Sequence, residues 1–214
     1  MRFIFLLGRI ISRVYNFRMS SFLNYLRDIF YSGWIKGAFG RVGSNFQIEY
    51  PLHGRGLKQI TIGDNFRSYK RLRIETYNSH LGAVFAPRLV IGDNVSLNYD
   101  CHIACINNVT VGSNVLIASR VFITDHAHGT SAGEELVRPP GERLLYSKGP
   151  VIIEDNVWIG ANSVVTAGVT IGKHAIIGAG SVITKDIPPY SVAVGNPARV
   201  IKKYNFETGI WQKV

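Results

Sequence analysis

The side chains best suited to chemistry stand together in Ile123-Thr124-Asp125-His126-Ala127-His128-Gly129. An imidazole titrates near neutrality, with an ordinary pKa of about 6.5, so it can take the proton of a weak nucleophile such as a hydroxyl. Such a base needs an acceptor on its second ring nitrogen. Asp125, a backbone carbonyl, or one of the glutamates that follow (Glu134, Glu135, Glu142) could supply it. Metal binding is the rival use of histidine. A zinc site of three histidines needs a third ligand, and His126 and His128, two residues apart, have no third at a comparable position. Cys101 and Cys105 are too few for a disulfide scaffold and are expected to remain reduced thiols, with Cys101 filling a small inward position.

The elements that must position these groups are read from spacing. Ile153, Ile159, Val165, Ile171, Ile177 and Ile183 recur at a strict interval of six, and the residue four after each is small or branched: Val157, Ser163, Val169, Ala175, Ser181, Ile187. Neither a helix near 3.6 nor a flat strand at 2 gives that period. Hexapeptide repeats instead mean a stacked, three-sided parallel coil of short strands and turns, with the aliphatic residues pointing inward. The same unit occurs at Ile62-Gly63-Asp64-Asn65-Phe66, at Ile91-Gly92-Asp93-Asn94-Val95 and at Val111-Gly112-Ser113-Asn114-Val115, where Asn suits a left-handed turn.

From Ile91 the sixes pass through Leu97 and Ile103, slip two residues to Val111, and continue at Ile117 and Ile123. They break over residues 125–150, a predicted extruded loop stiffened by Pro139 and Pro140, and this loop carries His126 and His128. Residues 46–90 are more ragged. Within them, residues 67–80 are basic and aromatic: an outward coil face and loop, or a sugar-binding wall in which Tyr77 stacks and Arg73 reads a carboxylate or phosphate.

Residues 1–40 differ in kind. Phe3, Leu7, Ile10, Val14 and Phe17 repeat at helical spacing, and Arg2, Arg9 and Arg13 form a stripe within about 40° on a helical wheel. The apolar run is too short to span a bilayer, and Arg9 interrupts any secretion signal. Residues 1–18 are therefore expected either to cap the coil or to touch a membrane surface peripherally. Gly33, Gly37, Gly40 and Gly43 are expected to mark the passage into the coil. The net charge of +10 favours anionic partners, but no nucleic-acid-binding motif is visible and none is expected.

The closing segment, IGAGSVITKDIPPYSVAVGNPARVIKK, together with the sixes, resembles the hexapeptide-repeat acyltransferases. Within them it is most similar to the galactoside, maltose and surface-polysaccharide O-acetyltransferases. The resemblance covers about the last two thirds of the chain and implies that the coil is a left-handed β-helix. It implies that His126 is the general base, with Asp125 standing where some relatives have Gly. His128 would support it or touch substrate, and Asn98 would contact the acceptor or acetyl group, with Asp100 a rival for that role. It further implies that acetyl-CoA lies along the outside of the coils, against Trp158, Ala161, Ala179, Thr184, Lys185, Arg199 and Lys202. Lys202 replaces an Arg of some relatives, keeping the charge but losing the fork.

The expected architecture is all-β: an N-terminal amphipathic helical segment (1–40), a left-handed β-helix (41–201) with the loop at 125–150 extruded, and a C-terminal tail (202–214). The expected protein is a cytoplasmic homotrimer, possible at the inner face of the membrane, that needs no metal. Its expected reaction is O-acetylation of a sugar hydroxyl from acetyl-CoA in surface-polysaccharide biosynthesis, by direct transfer with backbone N–H groups stabilising the oxyanion. Small-molecule or antibiotic acetylation, amino-sugar N-acetylation and a non-enzymatic scaffold or glycan binder are the alternatives.

Overall fold

The computed structural model describes residues 1–130 and 132–214, and within them every side chain except that of Val14. It begins with two helices, α1 (Arg2–Val14) and α2 (Phe17–Lys36). The apolar stripe expected to run from Phe3 to Phe17 is broken at Asn16. Its backbone is extended, and its side chain accepts the Met19 N–H (3.0 Å), so it caps a new helix that starts at Phe17. Gly33 lies inside α2 and not in the passage that follows.

Capping of the coil falls to α2. The first strand of the second face, Gln47–Ile48, is an edge whose backbone groups have no strand beyond them. Ser32 Oγ accepts the Ile48 N–H (2.9 Å) and lies 3.1 Å from the Ile48 carbonyl oxygen. Asp28 accepts the Tyr50 N–H (3.1 Å), and the Tyr31 hydroxyl accepts the Leu52 N–H (3.2 Å). Asp28, Ser32 and Ile35 are buried there, whereas the described side chains of α1 are all exposed.

From Arg41 onward the chain winds around three parallel sheets, one per face of a prism. Inward residues stack in register: Ile62, Ile91, Val111, Ile153 and Ile171 on the first face; Leu97, Ile117, Ile159 and Ile177 on the second; Ile74, Ile103, Ile123, Val165 and Ile183 on the third. All are essentially inaccessible to solvent. One coil cannot bury its own apolar edge, so the ladders are what hold the prism together. At one corner Asn65, Asn94, Asn114 and Asn156 take φ of 56° to 60°, which Asn tolerates better than most residues. Their amides chain along the prism, Asn65 to Asn94 (2.9 Å) and Asn94 to Asn114 (3.0 Å).

The irregular stretches resolve into the same coil. Ser68 takes an inward place on the second face where other coils carry an aliphatic residue. After strand Arg73–Thr76 a small hairpin, Ser79–His80 with Ala83–Val84, leaves the coil, which resumes at Arg88–Ile91. The loop of residues 125–150 leaves after strand Phe122–Thr124, forms the antiparallel pair Ala127–His128 with Leu145–Tyr146, and returns at Val151–Ile153. The segment expected as a tail at 202–214 is paired: Arg199–Asn205 and Ile210–Lys213 add antiparallel strands to the second face and close its far edge.

Candidate active site

His126 stands where the third face gives way to the loop. Thr124 fixes its backbone, accepting the His126 N–H (3.2 Å) and donating to its carbonyl oxygen (3.1 Å). His126 Nδ1 lies 2.9 Å from Asp125 Oδ1, so of the three possible orienting groups the structure selects Asp125. Asp125 is itself fully buried. Its carboxylate accepts the backbone N–H groups of Ile106 (2.9 Å) and Asn107 (2.8 Å). Those two residues fill the turn after strand His102–Cys105, where the repeat slips by two. Burial pushes the Asp125 carboxyl up, but the His126 ring and the two amides outweigh it and hold it below the ordinary carboxylate range. An ionised Asp125 fixes the proton on Nδ1 and leaves Nε2 as the accepting nitrogen. Thr130 donates its hydroxyl to Glu135 (2.9 Å), so this glutamate helps hold the loop.

Two cavities lie on the third face, and His126 lines one of them. One is a groove of about 430 Å³ between the third face and the loop, lined by Phe122, Thr124, His126, Tyr146, Lys148 and Val164 among others. The other is a polar basin of about 510 Å³ lined by His53, Arg71, Arg73, Glu75, Asp100 and His102. Glu75 joins them. It receives Arg73 Nε (2.7 Å) and the Tyr77 hydroxyl (3.0 Å), and lies 3.1 Å from His102 Nε2. Burial raises the Glu75 carboxyl, and Arg73, Tyr77 and His102 lower it further than burial lifts it. Tyr77 meets the His126 ring edge-on at 5.9 Å, and His102 stacks on Phe122 at 4.7 Å. Burial holds the His102 ring below its usual value, with Arg73 adding to the effect against Glu75.

Several expectations change here. Arg55 already covers one face of the Tyr77 ring at 4.6 Å. Arg73 already reads a carboxylate, that of Glu75 in its own chain. Asp100 is engaged by Arg71 in a two-point ion pair (2.5 and 2.8 Å) at a corner with φ of 60°. His128 lies exposed on the hairpin and meets His80 edge-on at 5.7 Å. Asn98 follows strand Ser96–Leu97 at one edge of the third face, and His126 follows Phe122–Thr124 at the other, so one chain alone does not bring them together. His102, the role of Glu75, and Tyr146 and Lys148 in the groove wall were not anticipated. The available signal was that His102 and Arg73 occupy matching outward places in successive coils.

The residues expected to hold coenzyme A divide between the two edges of the third face. Ala161 and Ala179 lie at its leading corner, just after Trp158 on the neighbouring face; Thr184 and Lys185 lie at its trailing corner. Trp158 is 50% exposed on the prism wall. The coils are close there: a Cβ on Gly160 would come 2.5 Å from the Ala179 nitrogen, so the corner is smooth and offers backbone groups to an extended arm. Lys185, Arg199 and Lys202 are exposed, and among the described residues none of the three is ion-paired, which suits phosphates. Both cysteines are free and buried. Burial pushes the Cys101 thiol up to about 11, and burial with Asp125 pushes Cys105 up as well, so neither is a thiolate nucleophile. Among the described residues no cluster of three His, Cys, Asp or Glu could hold a metal ion.

Comparison with known proteins places the chain in a family. Residues 150–185 match the family model described as the hexapeptide repeat of succinyl-transferase. The chain is 41% identical over 170 residues to WbbJ of Escherichia coli K12, an O-acetyl transferase provisionally assigned to lipopolysaccharide biosynthesis; the match spans 78% of this chain and 83% of that one. A galactoside acetyltransferase crystallised with coenzyme A superposes with a TM-score of 0.52 at 31% identity, over 82% of this chain and 70% of the other. AntD of Bacillus cereus, an N-acyltransferase solved with dTDP-4-amino-4,6-dideoxyglucose and coenzyme A, superposes with a TM-score of 0.68 over 82% and 90% of the two chains; at 23% identity it speaks for the fold alone. The chain belongs to the hexapeptide-repeat acetyltransferases, left-handed β-helix enzymes that work with coenzyme A.

Proposed function

We propose that this acetyltransferase transfers an acetyl group from acetyl-CoA to a sugar hydroxyl of a surface polysaccharide or its lipid-linked precursor, in the cytoplasm and as a homotrimer. The observation that carries the reading is the Asp125–His126 pair, its imidazole in the wall of an apolar-walled groove, with a polar basin on neighbouring coils of the same face. Bound acetyl-CoA supplies a thioester carbonyl open to attack. The groove holds its reactive end, and the basin orients the sugar through its many polar groups. His126 Nε2 takes the acceptor's proton as the hydroxyl attacks, and Asp125 stabilises the imidazolium that results. Trp158, Ala161, Ala179, Thr184, Lys185, Arg199 and Lys202 hold coenzyme A. A trimer accounts for the division of that set, and for the separation of Asn98 from His126, because a neighbouring chain can bring one edge of its prism to the other edge of this one. Asn98 then acts on the acceptor across the subunit boundary.

The kinship with WbbJ supports a polysaccharide acceptor. The experiment is a screen of sugars and nucleotide sugars with acetyl-CoA, reading free thiol, followed by the chemistry of the product. An ester removed by mild base supports the reading. A stable amide instead establishes N-acetylation of an amino sugar, the second reading. Glu75→Gln keeps the shape but removes the charge that gathers Arg73, Tyr77 and His102. It is expected to lower turnover by about fivefold to tenfold with coenzyme A affinity unchanged, as steady-state kinetics and calorimetry would measure.

A further inference from the structure

The face of α2 that turns away from the coil is exposed and has no polar side chain. Asp28, Ser32 and Ile35 on one side of the helix are buried against the first coil. On the other side Phe22, Leu23, Leu26, Ile29, Phe30 and Trp34 fall within an arc of about 140° and face solvent, Phe30 at 76% and Trp34 at 72%. In α1, Phe3, Ile4, Leu7, Ile10 and Ile11 are exposed as well. A monomer rarely leaves so large an apolar surface uncovered. Its charge is one-sided: no Asp or Glu precedes Asp28 in the chain. Arg27 is ion-paired to Asp28 (2.7 Å), and Lys36 donates to the Gly43 carbonyl (2.8 Å). Arg2, Arg9, Arg13 and Arg18 remain as exposed cations with no ion pair among the described residues.

We propose that α1 and α2 together dock the enzyme on an anionic lipid surface, apolar faces among the acyl chains and arginines among the headgroups. Among the described residues no helix is long and apolar enough to cross a membrane, so the pair lies in the interface. Phosphate headgroups complement the four arginines, whereas a second copy of the same helices would set arginine against arginine. The platform thus extends beyond residues 1–18 to the helix that caps the coil, which fixes the prism directly to the surface. The inference rests on the helices alone and not on the reaction proposed above.

The test is sedimentation of the full chain with vesicles of phosphatidylcholine, with and without phosphatidylglycerol. The expected result is binding to the anionic vesicles that falls several-fold in their neutral counterparts and at high salt. Phe30→Ser with Trp34→Ser should lower partitioning at least about tenfold, and Arg9→Gln with Arg13→Gln roughly tenfold. The Arg9 and Arg13 pair lies on exposed α1, so its loss of binding is not a folding defect. Native mass and thiol release with a water-soluble acceptor should stay unchanged in both variants. A wild-type chain that stays in the supernatant with both lipids overturns the proposal. So does a Phe30 and Trp34 variant that binds equally well, or one whose native mass falls, which would make this face a contact between copies.

Discussion

Replacing His126 with alanine is expected to lower kcat by on the order of a hundredfold or more, with coenzyme A bound as tightly as before. The structure orients its imidazole from a fully buried carboxylate, and the side chain lines the groove. On the proposed reading it contributes to the removal of a proton and not to the grip on phosphates, which that reading gives to cations two coils further on. The two readouts therefore separate: thiol-release kinetics should collapse, and calorimetry with coenzyme A should not change. Equal losses in both would mean that His126 is part of the donor site. Unchanged turnover would remove it as the base.

Asp125→Asn should affect rate and stability together. One carboxylate oxygen serves His126 Nδ1 and the Ile106 N–H, and the other serves the Asn107 N–H. An asparagine must turn its NH₂ toward at least one of these donors, leaving a buried N–H unmatched at a cost of about 1–3 kcal/mol. It also loses the charge that keeps the proton on Nδ1, and kcat should fall at least about tenfold while coenzyme A affinity holds. The pH dependence has a definite sign. The Asp125 carboxyl is held below its unfolded value of 3.8, so its stabilisation is complete above that pH and is lost as the pH falls through the lower folded value. Thermal unfolding of wild type and variant should differ most near neutrality and converge in strong acid. A gap that does not narrow on acidification would show that the carboxylate's charge is not what stabilises the turn.

The coil was legible wherever one residue type does one job. An aliphatic residue every six positions from Ile153 to Ile183 has no other physical outcome, and the observed ladders follow it position by position. It was faint where the job was shared: Ser68 replaces the aliphatic residue on one rung, and a hairpin interrupts the next. The helical stripe misled at Asn16, because periodicity carries Phe17 along while only the cap geometry stops the helix. The two-residue slip before Val111 was visible as a count. Its role was not, since the amides it frees meet Asp125 some eighteen residues later. Glu75 is the clearest case of what spacing hides. Its partner His102 is 27 positions away and adjacent only because the intervening hairpin leaves the coil and returns in phase. Charge invited Arg73 as a substrate contact, and its place beside Asn98 invited Asp100; the structure gives each a partner within the chain.

A crystal structure with coenzyme A tests the central claim most directly, through the distance from its sulfur to His126 Nε2. The account predicts the arm on the outside of the prism with the sulfur in the groove beside Phe122 and Thr166, within roughly 4 Å of that nitrogen in the same or a neighbouring chain. A sulfur seated elsewhere, beyond the reach of His126 of every chain in the assembly, would contradict it.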